Sequence, residues 1–306
     1  MNTSLQLAAI DLGSNSFRLE IGRADGGQIY VLDSLRSNVR LAAGLTPDKR
    51  LTTEAMDRGL EAISQFAQRL QGFDPSRIRA VGTNTLRVAK NAPEFIARME
   101  AILGFPIEVI AGREEARLIF SGVAHSVPTP YGKRLVVDIG GGSTEFVTGR
   151  STSEQAISID IGCVRMTERH LKSDPPTPAE IAAAERDITA AVDIALAAVP
   201  GREAKTMLGL AGSVTTVTAL ALGLPTYDAT AIHHARISYP EVAKVTADLL
   251  AATVAERRSL PVMHPGRADV IGAGALILRT IMERSAQPEV VASEHDILDG
   301  IAWGLA

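Results

Sequence analysis

A six-residue pattern of Asp, Gly and Ser occurs twice in this chain of 306 residues. Residues 11–16 read DLGSNS and residues 138–143 read DIGGGS, an offset of 127, and each copy directly follows an apolar run. Gly22-Arg23 and Gly149-Arg150 keep the same offset. A repeat of this length exceeds the roughly 20–50 residues of a solenoid unit. It therefore predicts two similar domains.

Each copy of the pattern lies between two predicted strands. The apolar residues 7–11 and 17–22 predict a hairpin, and residues 135–138 and 144–148 repeat it. Apolar residues at helical spacing alternate with further short strands along both halves. Helices are predicted over residues 53–70, 92–103, 114–122, 178–199, 214–222, 240–257, 268–284 and 296–305. The chain is therefore expected to be of the α/β class.

Composition excludes several classes of protein. With 46% hydrophobic and 22% charged residues, the chain is not of the disordered type. A single cysteine, Cys163, permits no internal disulfide and predicts a reducing, cytoplasmic location. A net charge of -4 argues against a nucleic-acid partner. Residues 206–227 carry no charge, but their Gly, Ser, Thr and Pro content predicts a strand, a turn and a buried helix rather than a membrane span.

Three glycine-containing turns follow predicted strands and are candidates for phosphate binding. Glycine lets the backbone approach an anion closely, and consecutive N–H groups in such a turn form a concave anion site. The residues of these turns are Gly13, Ser14, Asn15 and Ser16, then Gly140, Gly141, Gly142 and Ser143, then Gly212 and Ser213. One such turn alone is weak evidence. The repeated context of the first two favours a functional role.

Carboxylates stand next to the two repeated turns. Asp11 and Asp138 begin the turns, and Glu145 follows Asp138 on the next predicted strand. Carboxylates at a phosphate turn suit Mg²⁺, which binds through one or two carboxylates, waters and substrate oxygens. Aspartate also caps turns without any further role. The matched pair favours the metal interpretation.

Other polar residues leave two interpretations open. Glu114 and Glu115 stand at the start of a predicted helix, where the helix dipole favours carboxylates, but a glutamate can also orient and deprotonate water. Arg18 and Arg87 follow the first turn and the strand at residues 78–82, where a guanidinium could bind phosphate or could simply be solvated. The histidines, among them His233, show no metal-ligand spacing.

Several of these segments together resemble the exopolyphosphatase/guanosine pentaphosphate phosphatase (Ppx/GppA) family. They are AIDLGSNSFR at residues 9–18, GTNTLR at 82–87, GREEARL at 112–118, VDIGGGSTE at 137–145, GLAGSVT at 209–215 and RADVI at 267–271. The resemblance covers nearly the whole chain. It departs at residues 293–300, where an arginine common before the acidic residue and glycine is absent, so no role of that arginine is carried over.

The resemblance implies two ribonuclease-H-like domains, of the actin, sugar-kinase and Hsp70 ATPase type, with an interdomain cleft. We expect domain I over residues 1–121, with a closing helix at about 298–306 packing back on it, and domain II over residues 122–297. The expected form is the short, two-domain one, without the additional C-terminal domains of longer members, so processivity on long polymers is not expected to carry over.

The resemblance also implies an activity and a role for each candidate residue. The activity is that of an exopolyphosphatase, which hydrolyses the terminal phosphoanhydride bond of inorganic polyphosphate and releases orthophosphate. Glu115 is expected to act as general base, Arg87 to contact phosphate, and Asp11, Asp138 and Glu145 to hold Mg²⁺ or Mn²⁺. The three turns and Arg18 are expected to bind substrate.

Three alternatives stay open at this stage. The first is a guanosine pentaphosphate phosphohydrolase, which shares the chemistry but uses another substrate. The second is an ATP-using kinase or ATPase of the same fold, with Gly212 and Ser213 facing adenosine. The third is a regulator that binds polyphosphate or an alarmone. A homodimer is a further expectation, with neither nucleic acid nor membrane as a partner.

Overall fold

A computed structural model describes residues 6–26, 28–126, 132–264 and 266–306. The chain divides into two compact units. Unit 1 comprises Met1–Gly122 and Ile297–Ala306, and unit 2 comprises Val123–Asp296. Each unit contains one β-sheet with helices packed around it. The predicted α/β class is confirmed.

The sheet of unit 1 has five strands in the order β3-β2-β1-β4-β5. The strands are β1 (Gln6–Leu12), β2 (Phe17–Asp25), β3 (Gln28–Ser37), β4 (Ile78–Gly82) and β5 (Ile107–Val109). β1, β2 and β3 form an antiparallel meander, and β4 and β5 continue the sheet parallel to β1. The predicted hairpin at residues 7–22 is confirmed.

The helices of unit 1 cover this sheet. They are α1 (Thr53–Arg69), α2 (Asn84–Val88), α3 (Ala92–Leu103), α4 (Gly112–Ser126, which runs past the unit boundary) and α12 (Ile297–Trp303). α1 begins where the Thr52 side chain accepts a hydrogen bond from Ala55 N–H, an N-cap that satisfies one of the unpaired amides of the first turn. Its apolar stripe, including Ile63 and Phe66, is buried in the core of the unit. α12 packs on β1.

The sheet of unit 2 has six strands in the order β10-β11-β9-β6-β7-β8. The strands are β6 (Arg134–Ile139), β7 (Thr144–Gly149), β8 (Ser153–Ile159), β9 (Thr206–Leu210), β10 (Arg236–Ser238) and β11 (Glu289–Ala292). β6, β7 and β8 form an antiparallel meander, and β9 lies parallel to β6. This arrangement repeats that of β1 to β4 in unit 1, so the sequence repeat corresponds to a repeat of topology.

The helices of unit 2 surround a separate apolar core. They are α5 (Cys163–His170), α6 (Pro178–Ala198), α7 (Ala211–Ala221), α8 (Ala229–Ile232), α9 (Tyr239–Ala251), α10 (Val254–Arg258) and α11 (Ile271–Ser285). The single helix predicted over residues 240–257 is wrong. Thr253 is extended and forms a capping box with Glu256, which ends α9 and begins α10.

The uncharged segment at residues 206–227 forms β9 and α7. In the described part of the chain, none of the helices combines the length and the apolar character that crossing a bilayer requires. The predicted strand and buried helix are confirmed, but the turn predicted between them is wrong, because β9 ends at Leu210 and α7 begins at Ala211.

Candidate functional site

The two repeated turns have the same backbone geometry. Gly13 N–H donates to the Ser16 carbonyl oxygen at 3.2 Å, and Gly140 N–H donates to the Ser143 carbonyl oxygen at 3.0 Å. Within the described ranges, the intervening amides of residues 14, 15, 141 and 142 donate to no protein acceptor. Consecutive amides without a protein acceptor are the donors of an anion-binding nest. Each unit therefore carries one such turn.

The turn of unit 1 is braced by the segment that follows β3. Asn15 and Ser14 accept backbone hydrogen bonds from Arg40 and Ala42, at 2.8 and 2.9 Å. The hydroxyl of Thr85, at the start of α2, donates to Ser14 Oγ at 2.8 Å. Ser14 is buried, so its side chain holds the turn in place and its amide remains as the candidate ligand donor.

The turn of unit 2 is braced by the N-terminus of α5. The Gly140 carbonyl accepts from Cys163 N–H at 2.9 Å, and the Gly141 carbonyl accepts from Val164 N–H at 3.0 Å. Gly162 lies so close to Gly141 that a Cβ there would collide with the Gly141 backbone. The carbonyl groups of the turn therefore bind α5, and a ligand would bind the amide groups of the turn.

Asp11 in unit 1 is paired with an arginine on the neighbouring strand. Asp11 and Arg18 are directly opposite on β1 and β2. The Arg18 guanidinium donates to Asp11 Oδ2 from Nη2 at 2.8 Å and from Nε at 3.2 Å. Asp11 is only 6% exposed. The predicted metal ligand and the predicted phosphate-binding arginine therefore form one ion pair.

The equivalent position in unit 2 carries a second acid instead of an arginine. Asp138 and Glu145 are directly opposite on β6 and β7 and so share one face of the sheet. Both are buried, at 8% and 2% exposure. Ser158, the cross-strand neighbour of Glu145 on β8, donates to Glu145 Oε1 at 2.7 Å. Two adjacent buried carboxylates repel each other unless a cation lies close to them.

This pair fits a hard divalent cation. Mg²⁺ is commonly held by one or two carboxylates, with waters and substrate oxygens completing its octahedron. In residues 6–26, 28–126, 132–264 and 266–306, no three His, Cys, Asp or Glu side chains are grouped as a complete metal site. The joint ligand set of Asp11, Asp138 and Glu145 stays a prediction, and the geometry favours Asp138 and Glu145 within it.

The structure distinguishes the two adjacent glutamates at the start of α4. Glu115 is 7% exposed, and its Oε2 lies 3.2 Å from Arg87 Nη1. Glu114 is partly exposed, and the hydrogen bond from Arg117 holds its pKa below the usual range. Arg87 also donates to the Ile110 carbonyl at 2.7 Å, which fixes its guanidinium beside Glu115. Glu115 is therefore the candidate for chemistry, and Glu114 belongs to a surface ion pair.

The third predicted turn is absent as a separate element, because Gly212 and Ser213 are the second and third residues of α7. Ala211 has a left-handed backbone, with φ of 62°, in a region that L-residues other than glycine, Asn and Asp seldom adopt. Gly212 is partly exposed, but Ser213 has no exposed surface and packs beneath it against Gly274. At the start of α7 the accessible candidate is therefore Gly212 rather than Ser213.

Arg267 begins the RADVI segment of the family resemblance, but the sequence predicted no role for it. Its guanidinium lies so close to Gly212 that a Cβ on that glycine would collide with it. It is 7% exposed, and in the described part of the chain no carboxylate lies within ion-pair distance of it. Fifty-five positions separate it from Gly212, so only the fold reveals the contact.

Three histidines form a cluster at the end of β11. The ring of His233 lies 3.8 Å from that of His234 and 4.8 Å from that of His295, centroid to centroid. The Nδ1 atom of His233 accepts a hydrogen bond from Glu294 N–H at 3.2 Å. Burial, together with repulsion from the other two histidines, lowers the pKa of His233 from 6.5 to about 4.

This shift predicts a loss of stability in acid. Between pH 6.5 and about 4, the unfolded chain binds a proton that folded His233 excludes. The stabilisation is therefore complete above pH 6.5 and declines as the pH falls through this window. We expect the thermal unfolding midpoint to fall less between pH 7 and pH 5 in His233→Asn, whose amide oxygen can accept the Glu294 N–H bond, than in the parent. Equal falls in both proteins would contradict the assignment.

Comparisons with known proteins extend over nearly the whole chain. Residues 21–305 match the Ppx/GppA phosphatase family. The protein named Exopolyphosphatase 2 of Mycobacterium tuberculosis is 40% identical over 314 aligned positions, which cover 98% of each chain.

Solved structures show the same similarity. The crystal structure of an exopolyphosphatase-like protein has a TM-score of 0.94 and 38% identity, and covers 98% of this chain and 97% of its own. The Ppx/GppA enzyme of Aquifex aeolicus has a TM-score of 0.82 and 29% identity, and covers 97% and 98%. The chain is therefore a member of the Ppx/GppA phosphatase family.

Proposed function

We propose that this chain is an exopolyphosphatase that releases orthophosphate from the end of inorganic polyphosphate with the help of Mg²⁺. The observation that carries the proposal is the pair of equivalent turns. In the described part of the chain, each turn has two amides that donate to no protein acceptor, and each lies next to a buried carboxylate. A polymer of phosphates offers anionic oxygens to such donors at every unit. The 40% identity to a protein named Exopolyphosphatase 2 supports this choice of substrate.

Unit 2 would supply the metal side of the reaction. Asp138 and Glu145 would hold the Mg²⁺ ion, or Mn²⁺ in its place, through hard carboxylate oxygens. When bound, the ion would neutralise charge on the phosphate oxygens, which is a main requirement of phosphoryl transfer. The amides of Gly141 and Gly142 would contact phosphate oxygens next to these carboxylates.

Unit 1 would supply the base. Glu115 would accept a proton from the attacking water and orient that water for in-line attack on the terminal phosphorus. Arg87 Nη1 fixes one carboxylate oxygen of Glu115. In the described part of the chain, the Nε and Nη2 groups of Arg87 have no protein partner, and they would contact a phosphate oxygen.

Further contacts with substrate would come from the amides of Ser14 and Asn15, from Arg18, from Gly212 and from Arg267. Arg18 would contribute while paired with Asp11, which it binds through Nε and Nη2. Arg267 would contribute as a buried cation beside the Gly212 backbone. We further propose that the two units correspond to the two domains expected from the sequence.

The test is orthophosphate release in the presence of Mg²⁺ from four substrates in parallel. Long-chain polyphosphate, short-chain polyphosphate, guanosine pentaphosphate and ATP are each incubated with the parent protein and with Glu115→Gln. Release from polyphosphate that is lost in Glu115→Gln is the expected result. Release from guanosine pentaphosphate alone would overturn the choice of substrate, and formation of ADP that depends on an acceptor alcohol would indicate a kinase.

A further inference from the structure

We propose that Ser158 is a positioning residue, which orients Glu145 for metal binding. This inference rests on the function proposed above, because it assumes that Glu145 is a metal ligand. Ser158 lies on β8 and is not part of any motif that the sequence analysis singled out. Its role follows from the register of three strands.

Three side chains form a row across the antiparallel meander of unit 2. Asp138 on β6 is opposite Glu145 on β7, and Glu145 is opposite Ser158 on β8. Residues in such a row share one face of the sheet, with neighbouring Cβ atoms about 4.5–5.5 Å apart. Ser158 is therefore held next to Glu145 by the backbone, before any side-chain contact is made.

From this position the hydroxyl of Ser158 forms a hydrogen bond with the Glu145 carboxylate. It donates to Glu145 Oε1 at 2.7 Å, a length typical of a strong O–H to carboxylate bond. A glutamate side chain has three rotatable bonds, and the bond to Ser158 fixes the plane of the carboxylate. Metal ligands are usually oriented in this way by a hydrogen-bonding partner, and loss of that partner typically costs about 10–100-fold in metal affinity.

The equivalent row in unit 1 supports a role tied to the metal. There, Asp11 is opposite Arg18, and Arg18 is opposite Arg36 on β3. The same backbone frame thus presents one acid and two arginines in unit 1, but two acids and a neutral hydroxyl in unit 2. A hydroxyl can hold a carboxylate without adding a cation that would compete with a bound metal ion.

The experiment compares three substitutions on β8 in the full chain. Ser158→Ala removes the hydroxyl, and Ser158→Thr keeps it. Ser153→Ala is the matched control on the same strand, since the Ser153 side chain has no hydrogen-bond partner in the described part of the chain. Binding of Mn²⁺ to the substrate-free protein is measured from the loss of the free-ion electron paramagnetic resonance signal. Far-ultraviolet circular dichroism checks that each variant is folded.

We expect Ser158→Ala to weaken Mn²⁺ binding about 10–100-fold. Ser158→Thr should stay within about threefold of the parent, and Ser153→Ala should not differ from it. In the orthophosphate assay, Ser158→Ala should need correspondingly more Mg²⁺, with kcat at saturating Mg²⁺ largely retained. If Ser158→Ala does not fold, Ser158→Cys, of similar size but with a weak donor, replaces it.

The outcomes separate this inference from the proposed function. Unchanged Mn²⁺ affinity in a folded Ser158→Ala, or a parent protein that binds no Mn²⁺, overturns the positioning role. Weakened binding in Ser158→Ala together with restoration in Ser158→Thr supports it, even if the parent releases no orthophosphate from polyphosphate. In that last case the proposed function fails, while the role of Ser158 in metal binding stands.

Discussion

Glu115→Gln is expected to lower kcat for polyphosphate by a factor of about 10²–10⁴, the usual contribution of a general base. The amide has the volume of the carboxylate and can still accept the hydrogen bond from Arg87, whose Nη1 lies 3.2 Å from Glu115 Oε2. It cannot take a proton from water. Because a base acts mainly in the transition state, KM for polyphosphate should stay within about threefold of the parent value. Steady-state kinetics at saturating Mg²⁺ measures both constants.

The adjacent glutamate provides the control for this experiment. Glu114 is partly exposed and paired with Arg117 on the same helix, and surface ion pairs of this kind contribute only about 0–1 kcal/mol. Glu114→Gln should therefore keep kcat within about threefold of the parent. If Glu114→Gln loses activity while Glu115→Gln keeps it, the assignment of the base is reversed.

Asp138→Asn is expected to shift the dependence of activity on Mg²⁺. Asp138 is 8% exposed and lies directly opposite Glu145, so its replacement removes one of the two adjacent carboxylates proposed to hold the metal. Loss of a residue that only orients a metal ligand typically costs about 10–100-fold in metal affinity. Loss of a ligand itself should cost more, so the Mg²⁺ concentration for half-maximal activity should rise by more than about 100-fold. Titration with Mg²⁺ after removal of bound metal by a chelator measures this shift.

The control for this second experiment is an exposed aspartate of the same unit. Asp160 lies 3.4 Å from Arg165 Nη1 at the surface. Asp160→Asn should leave the Mg²⁺ titration unchanged. A parent protein that retains full activity after chelation would contradict the metal assignment, and so would an Asp138→Asn protein with the parent titration curve.

Much of each sheet could be predicted from the sequence, because the apolar runs and the turn residues between them indicate the same strands. The apolar runs at residues 7–11 and 135–138 are each followed by a turn and a second strand, and both hairpins are present. The prediction failed where one residue interrupts a regular pattern. The apolar spacing of residues 240–257 continues through Thr253, and only the capping box with Glu256 shows that two helices meet there.

The candidate site was predictable as a set of residues but not as a set of contacts. Asp11 and Arg18 each looked like a ligand-binding residue, and only the strand register shows that they neutralise each other. Arg267 lies far along the chain from Gly212, and its contact depends on how α7 and the segment before α11 pack. Such pairings are set by tertiary structure, which motif spacing does not encode.

The equivalent side-chain rows of the two sheets share one backbone arrangement but differ in the charge of their side chains. In both units an aspartate is the next-to-last residue of the first strand, and one residue on the neighbouring strand faces it, Arg18 in one case and Glu145 in the other. That single neighbour decides whether the aspartate is neutralised within the protein or joins a second acid. One side chain on the second strand therefore sets the charge of the row, while the strand pairing and the turn stay the same.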